Sequence, residues 1–232
     1  SSGTVSSYFD PGRKYEVTVR ALVDGSEVAT TTVVRRRFSP AVSSGPVSAS
    51  DLVGYYASPP TNRSRPGVIL LHGSGGNVMR RQADMLAARG FHALALKYFG
   101  PEEALPDTFV EIPRSYFDRA ASWLREQDGV VEEGVGVYGW AEGGEGALFL
   151  ASQADWVGAV VAKMPSGIAT WGLEYGGPTD ASKWSVDGEP VPYLPHPGGS
   201  PANAYESALT EITPREVENV TFPVQNSTGP IL

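Results

Sequence analysis

The residues best suited to chemistry form a turn that could present a nucleophile, although alanine occupies the decisive position. Residues 135–145 read Val-Gly-Val-Tyr-Gly-Trp-Ala-Glu-Gly-Gly-Glu. A short apolar run therefore leads into Gly139-Trp140-Ala141-Glu142-Gly143, and a helical pattern follows. Gly-x-Ser-x-Gly in this context is a nucleophile elbow, a tight strand-to-helix turn that exposes a serine hydroxyl. We predict the elbow backbone here, but the methyl group of Ala141 cannot attack a carbonyl carbon.

A second glycine-rich segment is predicted to supply amide donors beside the elbow. Acyl transfer needs N–H groups aimed at the oxyanion of the tetrahedral intermediate. The segment 72–76, His-Gly-Ser-Gly-Gly, follows an apolar run, where such a loop belongs, although an ordinary glycine-rich turn is the alternative interpretation. We assign the donors to the backbone N–H groups of Ser74 and Glu142, with Gly75 as the alternative to Ser74. The residues predicted to contact substrate are His72, Gly73, Gly75, Trp140 and Trp171.

The acid and the histidine of a catalytic triad are not assigned to residues of this chain. In such sites the chain order is nucleophile, then acid, then histidine. The acid should follow a strand beyond the elbow, and the best candidate strand starts only at Ile231. His72 belongs to the amide-donor loop, His92 opens a strand, and His196 precedes the strand that should carry the acid. We therefore expect the acid and the histidine to lie beyond Leu232.

Two further motifs have simpler explanations than chemistry. Gly134-x-Gly136-x-x-Gly139 matches the dinucleotide-binding fingerprint, but that motif should follow a strand and this one runs through a strand. Ser166, in Pro-Ser-Gly, comes after the next strand and not on a tight elbow. We interpret Ser166 as a turn residue and not as a substitute nucleophile.

Alternating strands and helices from Leu52 onward predict an α/β domain with a mostly parallel sheet. Continuous apolar runs such as Gly67–Leu71 are typical of strands buried on both faces. Right-handed crossovers then place successive strands parallel. Together with the elbow, this pattern predicts the α/β-hydrolase fold. The predicted strands are 52–56 (an edge strand), 67–71, 91–98, 135–138, 157–164 and the beginning of one at 229–232, and the predicted helices are 78–89, 113–127, 143–152 and 211–218.

The first part of the chain is predicted to be a separate β-rich unit. Residues 14–34 alternate polar and apolar side chains around Asp24-Gly25, a strong hairpin turn. We predict that residues 1–46 form a partial N-terminal β-sandwich of the immunoglobulin type with its linker, which we place in the Ser- and Pro-rich segment 39–50. Residues 47–232 are predicted to form the α/β-hydrolase domain, with its C-terminal part absent.

The segment 170–204 is predicted to be a long loop that faces the substrate. It is dense in Gly, Pro, Trp and Tyr and shows little periodicity. Loops of this length are usually functional or mobile. Its aromatic residues would suit an apolar or ring-bearing substrate, although aromatic residues also serve to anchor a loop.

Charge and composition exclude several classes of function. The 232 residues carry 18 Lys and Arg against 26 Asp and Glu, a net charge of -8, so we expect no nucleic-acid partner. No apolar run approaches the roughly 20 residues of a membrane helix, so we expect no membrane partner. The absence of cysteine fits a reducing compartment, and we expect a cytoplasmic location. We expect no cofactor and no metal, and the oligomeric state is left open.

Several motifs together resemble the family of acyl-CoA thioesterases and bile acid-CoA:amino acid N-acyltransferases. The elbow alone is shared by many hydrolases, whereas the combination is much more specific and extends roughly from the linker to the end of the chain. The resemblance implies an N-terminal β-sandwich before the hydrolase domain, and cleavage of an acyl thioester through a Ser or Cys nucleophile. The segments that carry it are 67–76, 86–100, 111–113, 116–117, the elbow with Gly143-Gly144-Glu145, and Pro165-Ser166-Gly167.

The function predicted from this resemblance is an acyl-thioester hydrolase or acyltransferase of the serine-hydrolase type. Ala141 departs from the family pattern, either through an engineered Ser-to-Ala change or because the chain is a natural pseudoenzyme. We favour the engineered change, because the neighbouring glycines are retained. The alternatives are a non-catalytic acyl-binding pseudoenzyme and a carboxylesterase or dienelactone-type hydrolase. The expected partner is a small-molecule acyl thioester or ester, whose acyl group and acceptor stay open.

Overall fold

The structure is a computed structural model and describes residues 14–36, 41–47, 49, 51–174, 177–198, 210 and 212–232. Predictions for residues 1–13, 175–176 and 199–204, and for the start of the last helix at Glu211, lie outside the described residues. The strands are β1 (Lys14–Val23), β2 (Ser26–Arg36), β3 (Ser43–Pro46), β4 (Val53–Ser58), β5 (Gly67–Leu71), β6 (His92–Lys97), β7 (Ile112–Pro113), β8 (Val135–Trp140), β9 (Val157–Lys163), β10 (Trp171–Glu174), β11 (Gly177–Ser182), β12 (Trp184–Val186) and β13 (Glu189–Pro190). The helices are α1 (Arg80–Ala87), α2 (Arg114–Arg125), α3 (Glu142–Gln153) and α4 (Pro214–Val220), followed by a 3-10 helix at Val224–Asn226.

A six-stranded sheet in the order β3-β4-β6-β5-β8-β9 forms the centre of the α/β domain. Strands β6, β5, β8 and β9 run parallel, and β4 and β3 add antiparallel pairs at one side. Strand β5 is central because its run is apolar on both faces, and Ile69, Leu70 and Leu71 are at most 1% exposed. Helices α2 and α3 pack on one face and α1 packs on the other. The predicted α/β-hydrolase fold is confirmed.

The sheet begins inside the segment that was predicted to be a linker. Strand β3 pairs with β4 from Ser43↔Ser58 to Pro46↔Tyr55, so the linker prediction is wrong at these residues. The prediction of an edge strand at 52–56 is also wrong, because β4 lies between β3 and β6. An outer strand such as β3, with the sequence Ser-Ser-Gly-Pro, pairs its backbone on one side only and therefore tolerates proline. Its sequence shows no alternation of polar and apolar residues that would predict a strand. The sheet therefore starts four residues before the predicted domain boundary at residue 47.

The predicted hairpin is present. Strands β1 and β2 pair antiparallel, and the turn residues Asp24 and Gly25 have φ angles of 47° and 78°. Two positive φ angles in succession are what a type I′ turn requires. All residues of both strands are exposed, and the structure shows a two-stranded sheet here. The β-sandwich therefore stays a prediction.

Helices α1 and α2 occur where they were predicted with shorter ends, and α3 is one residue longer at each end than predicted. The apolar side chains Tyr116, Phe117, Ala120 and Leu124 of α2 are buried. Helix α1 buries Ala83, Asp84 and Ala87, whereas its larger side chains Met85 and Leu86 are half-buried. Small alanines let α1 approach the sheet closely, and the Asp84 carboxylate accepts a hydrogen bond from Tyr55 Oη at 3.2 Å. None of the helices in the described ranges combines the length and the apolar character needed to pass through a bilayer.

The segment after β9 is not the irregular loop that was predicted. Strand β10 pairs with β11, and β12 pairs with β13 and, in parallel, with β7. Trp184 anchors the segment, since it is fully buried and stacks on Phe149 of α3 with ring centroids 5.4 Å apart. The prediction failed because these short strands contain Gly and Pro and lack a sustained alternation.

The residues predicted to begin a strand at 229–232 pair with β9 through an isolated β-bridge and are not part of a regular strand. Ile231 forms a parallel bridge with Val160 of β9. The Leu232 N–H donates to Val160 O, and the Ala162 N–H donates to Leu232 O, both at 2.9 Å. The sheet therefore continues beyond β9 on the side away from β8.

Candidate active site

Ala141 lies at a sharp bend between β8 and α3. Its backbone has φ 52° and ψ -118°, a conformation that L residues rarely adopt and that costs roughly 1–3 kcal/mol. The Ala141 N–H donates to Lys163 O at 2.9 Å, and Ala141 O accepts from Gly144 N at 2.7 Å. Backbone bonds therefore hold the bend from both sides, and it has the shape predicted for a nucleophile elbow.

The two glycines of the motif are required by close backbone approaches. A Cβ atom added at Gly139 would lie 1.9 Å from Gly143 O. A Cβ atom added at Gly143 would lie 2.3 Å from Leu71 O, at the end of β5. Neither position can accept a side chain without moving the main chain, so the glycines allow α3 to start against the sheet.

The glycine-rich loop after β5 lies directly against the bend. A Cβ atom added at Gly73 would lie 3.4 Å from the Cβ of Ala141 and 3.2 Å from Trp140 O. The Gly76 N–H donates to Gly73 O at 3.2 Å, which closes the loop as a turn. The structure therefore brings the predicted amide-donor loop and the nucleophile position together.

His72 supports this loop from beneath as a neutral side chain. It is 2% exposed, and its ring stacks on the buried ring of Tyr98 with centroids 4.1 Å apart and an interplanar angle of 4°. Tyr98 Oη donates to His72 O, and His72 Nδ1 pairs with Gly73 O at 2.8 Å, so Nδ1 carries the proton. Burial lowers the pKa of His72 to about 4, which keeps the ring uncharged near neutral pH.

Ala141 lies between two cavities. The larger has a volume of about 610 Å³ and is lined by residues 72–75, by residues 77–82 around the start of α1, and by Trp140 and Ala141. The smaller, of about 330 Å³, is lined by Ala141, Glu142, Met164, Pro165 and Ser166. A group bound at residue 141 therefore has space on two sides. A carbonyl carbon under attack needs such space, because it carries one substituent that stays and one that leaves.

A buried ionic cluster lies beneath the start of α3. We call it the Lys183 cluster, and its members are Glu142, Glu145, Thr170, Lys183 and Trp184. Lys183 is 1% exposed, and its Nζ contacts Glu142 and lies 2.8 Å from Glu145 Oε2. Glu145, which is fully buried, also accepts from Thr170 N at 3.2 Å, Thr170 Oγ1 at 2.9 Å and Trp184 Nε1 at 3.0 Å. The cluster joins the first turn of α3 to the segment that carries β10–β12.

The charges of the Lys183 cluster shift the acid–base behaviour of its members. Burial raises the pKa of Glu145, although Lys183 acts in the opposite direction. Burial would lower the pKa of Lys183, but Glu145 and Glu142 outweigh it and the pKa of Lys183 is raised. Lys183 therefore stays protonated at neutral pH and is shared by two carboxylates.

Sequence reasoning missed the Lys183 cluster. A usable signal was present, since Glu142 and Glu145 stand one turn apart in a helix otherwise made mainly of Gly, Ala, Leu and Phe. Carboxylates on a helix this apolar are rarely buried without a cation. That pattern indicates a buried partner but does not say which Lys or Arg supplies it.

The structure does not bring Trp171 together with the other predicted site residues. Trp171 is 4% exposed, packs with Leu194 and Val220, and lines neither cavity at Ala141. Its ring lies edge-on to His196, with centroids 4.7 Å apart. His196 lines a separate cavity of about 650 Å³ between residues 190–197 and α4.

The remaining residues weighed from the sequence have structural partners. Ser166 Oγ donates to Ile168 O at 2.7 Å and accepts from Ile168 N at 3.3 Å, as a turn serine does, and Ser166 also lines the smaller cavity. His92 is buried and its Nδ1 pairs with Tyr56 Oη at 2.5 Å. Within the described ranges, no group of three or more His, Cys, Asp or Glu side chains is placed to hold a metal ion.

Comparison with a family model locates the similarity at this site. Residues 112–175 match the model described as BAAT / Acyl-CoA thioester hydrolase C terminal. The matched stretch includes α2, β8, the bend at Ala141, α3 and β9. The resemblance stated from the motifs is thereby confirmed.

Curated relatives are similar over part of their length. Acyl-coenzyme A thioesterase 1 of Homo sapiens is 35% identical over 113 residues, which are 49% of this chain and 27% of that protein. Acyl-coenzyme A amino acid N-acyltransferase 2 of Rattus norvegicus is 34% identical over 145 residues, 62% of this chain and 34% of that protein. The mitochondrial acyl-coenzyme A thioesterase 2 of Homo sapiens is 34% identical over 113 residues, 49% of this chain and 23% of that protein. The chain thus spans between 23% and 34% of the length of these relatives. One of them is named as mitochondrial, and the cytoplasmic location of this chain stays a prediction.

Solved structures with a similar fold include two hydrolases. An alpha/beta hydrolase from Penicillium sp. sh18 is 21% identical with a TM-score of 0.44, covering 56% of this chain and 47% of that chain. A candidate dienelactone hydrolase from Klebsiella pneumoniae is 16% identical with a TM-score of 0.48, covering 82% of this chain and 84% of that chain.

Proposed function

We propose that this chain carries the active-site scaffold of an acyl-thioester hydrolase or acyltransferase of the serine-hydrolase type, with alanine at the nucleophile position. The backbone of Ala141 supports this most directly. A positive φ persists there although the methyl group gains nothing from it, and retained strain of this kind clusters at functional sites. The similarity to relatives named as acyl-CoA thioesterases and N-acyltransferases supports the choice of substrate class.

The proposed chemistry needs a hydroxyl or thiol at residue 141. Its oxygen or sulfur would attack the thioester carbonyl carbon, the bond from that carbon to the thioester sulfur would break, and the thiol would leave with the nucleophile's proton. Water or an amine would then take the acyl group and regenerate the nucleophile. The N–H groups of Ser74, or of Gly75, and of Glu142 would stabilise the negative oxygen in both steps.

An introduced thiol tests the elbow without requiring the rest of a triad. The chain has no cysteine, so Ala141→Cys creates a single thiol. With an acyl-CoA it should form an acylated protein and release CoA, which intact-protein mass spectrometry and a thiol assay measure. Ser166→Cys is the matched control, because it places a thiol on the same small cavity but on an ordinary turn.

We expect the thiol from Ala141→Cys to react at least tenfold faster than the control thiol at equal thiolate concentration. One oxyanion donor is worth about 2.7–4 kcal/mol, well above the 1.4 kcal/mol of a tenfold rate difference. Equal rates for the two thiols would show that residue 141 has no access to aimed donors and would sink the proposed function.

In the full-length protein, which would supply the acid and the histidine, Ala141→Ser separates the chemical alternatives. Turnover of acyl-CoA with water supports a thioesterase, and faster turnover with an amine acceptor supports an acyltransferase. If the variant cleaves oxygen esters and does not cleave thioesters, the function is that of a carboxylesterase or dienelactone-type hydrolase, and neither a thioesterase nor an acyltransferase.

A non-catalytic acyl-binding protein is the second candidate, and Ala141 itself favours it. A scaffold that lacks only the nucleophile can bind a thioester and cannot cleave it. This holds for an engineered Ala141 and for a natural one. This candidate predicts that the chain binds acyl thioesters and that neither Ala141→Ser nor Ala141→Cys adds acyl transfer. Any transfer at residue 141 excludes it.

A further inference from the structure

Positive charge is concentrated on one side of Ala141. The chain as a whole is acidic, with 26 Asp and Glu against 18 Lys and Arg. The larger cavity is nevertheless lined by Arg80 and Arg81, and none of the described residues that line it carries a carboxylate. His72, the remaining titratable residue there, has a pKa of about 4 because of burial and is uncharged near neutral pH. This cavity therefore favours binding of an anion, although the protein as a whole carries a net negative charge.

Arg80 is available to a ligand in the larger cavity. Its side chain is exposed, and its guanidinium carbon lies 5.8 Å from the centroid of the Tyr55 ring. Asp84, one turn along α1, is buried and accepts from Tyr55 Oη at 3.2 and 3.4 Å. In the described part of the chain Arg80 forms no ion pair with a carboxylate. Its five N–H donors can therefore serve a bound anion.

A third cation extends the positive charge to the elbow. Lys163 Nζ lies 5.4 Å from the centroid of the Trp140 ring. Trp140 lines the larger cavity and is 42% exposed. Lys163 therefore lies beside a residue that lines the larger cavity, although it does not line that cavity itself.

The smaller cavity has the opposite character. Met164 and Pro165 give it apolar surface, and its lining, as far as the structure describes it, includes no Lys or Arg. Its charged residue is Glu142, whose carboxylate contacts Lys183. A phosphate would be repelled by this carboxylate, whereas a hydrocarbon chain would find apolar contacts.

We infer that the larger cavity binds the phosphate-bearing CoA leaving group of a thioester through Arg80 and Arg81, and that the smaller cavity receives the acyl group. This inference rests on the proposed function. The two substituents of the carbonyl carbon must point in different directions from residue 141, and the two cavities offer two directions. Guanidinium groups bind phosphate oxygens with paired, charge-assisted hydrogen bonds, so the diphosphate and the 3′-phosphate of CoA belong on the arginine side.

The chain as it stands allows a binding measurement without chemistry. Ala141 cannot accept the acyl group, so hexanoyl-CoA stays intact during calorimetric titration. The comparison ligand is the hexanoyl thioester of N-acetylcysteamine, which has the same thioester and no phosphate. The variants are Arg80→Gln with Arg81→Gln, and the control Arg89→Gln. Arg89 is an exposed arginine beyond the opposite end of α1 that donates to Met85 O at 3.0 Å.

The double variant should bind hexanoyl-CoA at least tenfold more weakly than the parent and bind the phosphate-free thioester equally well. A hydrogen bond to a charged group contributes about 1.5–3 kcal/mol, and 1.4 kcal/mol is a tenfold change in Kd. Arg89→Gln should change neither affinity, and added salt should weaken only the CoA ligand. Ser166→Phe, which places a larger side chain on the lining of the smaller cavity, should weaken the binding of both hexanoyl thioesters and leave the binding of free CoA unchanged.

Equal affinity of the parent and the double variant for hexanoyl-CoA overturns the inference, and so does an equal loss in Arg89→Gln. If the double variant does not fold, Arg80→Lys decides instead, because it keeps the charge, removes the paired geometry and should weaken CoA binding alone. If Ala141→Cys is not acylated by acyl-CoA faster than the control thiol, the proposed function is wrong. If the parent binds hexanoyl-CoA and the phosphate-free thioester equally well, only the assignment of the two cavities is wrong.

Discussion

Replacing Lys183 with methionine removes the cation that contacts both glutamates at the start of α3. Lys183 is 1% exposed and Glu145 is fully buried, with Nζ 2.8 Å from Glu145 Oε2. Methionine keeps an unbranched, flexible apolar chain in place of the lysine stem. Water cannot reach Glu145 to replace the lost partner. Removing one member of a buried ion pair costs about 3–5 kcal/mol, and we expect a loss of that size in the free energy of unfolding.

The loss should depend on pH, with a sign set by Glu145. Burial already raises the pKa of Glu145, and Lys183→Met removes the group that opposes this rise. A carboxyl group with a raised pKa in the folded protein contributes stability at low pH and loses it as the pH rises through that pKa. The variant should therefore be closer to the parent at about pH 5 than at about pH 8.

Urea unfolding at both pH values measures the effect from the midpoint and the slope. Tryptophan fluorescence follows the transition, and Trp184 of the cluster is one of the five tryptophans that contribute to it. Arg119→Met is the matched control, because its ion pair with Asp51 at 3.2 Å is largely exposed and should contribute less than about 1 kcal/mol. Adding Glu145→Gln to Lys183→Met should restore part of the lost stability. It should also remove most of the pH dependence of the Lys183→Met variant. A loss no larger than that of the control, unchanged with pH, would refute the reasoning.

Three other substitutions test the elbow and the loop beside it. Gly143→Ala places a Cβ 2.3 Å from Leu71 O and should lower the free energy of unfolding, measured with urea, by at least about 2 kcal/mol. The control Gly167→Ala, whose added Cβ has nothing within 4 Å, should leave the stability unchanged. The parent should lose roughly 3 kcal/mol of stability as the pH falls from about 6.5 to about 4, because His72 takes up a proton in the unfolded chain and not in the folded protein. His72→Gln should remove this loss. Tyr98→Phe leaves the buried carbonyl of His72 without its donor and should cost about 1–3 kcal/mol in thermal or urea unfolding.

The elbow could be predicted from sequence because part of its constraint is local. Gly139 is required by the close approach of Gly143 O, four residues along the chain, whereas Gly143 is required by Leu71 O of β5. The loop at 72–76 was predictable for a related reason, since it directly follows a strand apolar on both faces. Parallel neighbours β5 and β8 then bring the two segments to one edge of the sheet.

The Lys183 cluster could not be predicted in the same way. Lys183 is 38 residues from Glu145 and 41 from Glu142, in a segment without strand or helix periodicity. Its burial depends on Trp184 packing against Phe149, a contact that no local pattern encodes. Strand β3 was missed for a similar reason, because Ser-Ser-Gly-Pro becomes a strand only through pairing with β4.

The contacts that hold the bend at Ala141 do not use its side chain. Lys163 O accepts from its N–H, Gly144 donates to its carbonyl, and the close approaches at Gly139 and Gly143 are between main-chain atoms. A serine hydroxyl could therefore be exchanged for a methyl group here, in either direction, without moving the proposed amide donors or the cavities. The affinity for an intact thioester can then be measured with Ala141 in place, on the same backbone that would carry a serine nucleophile.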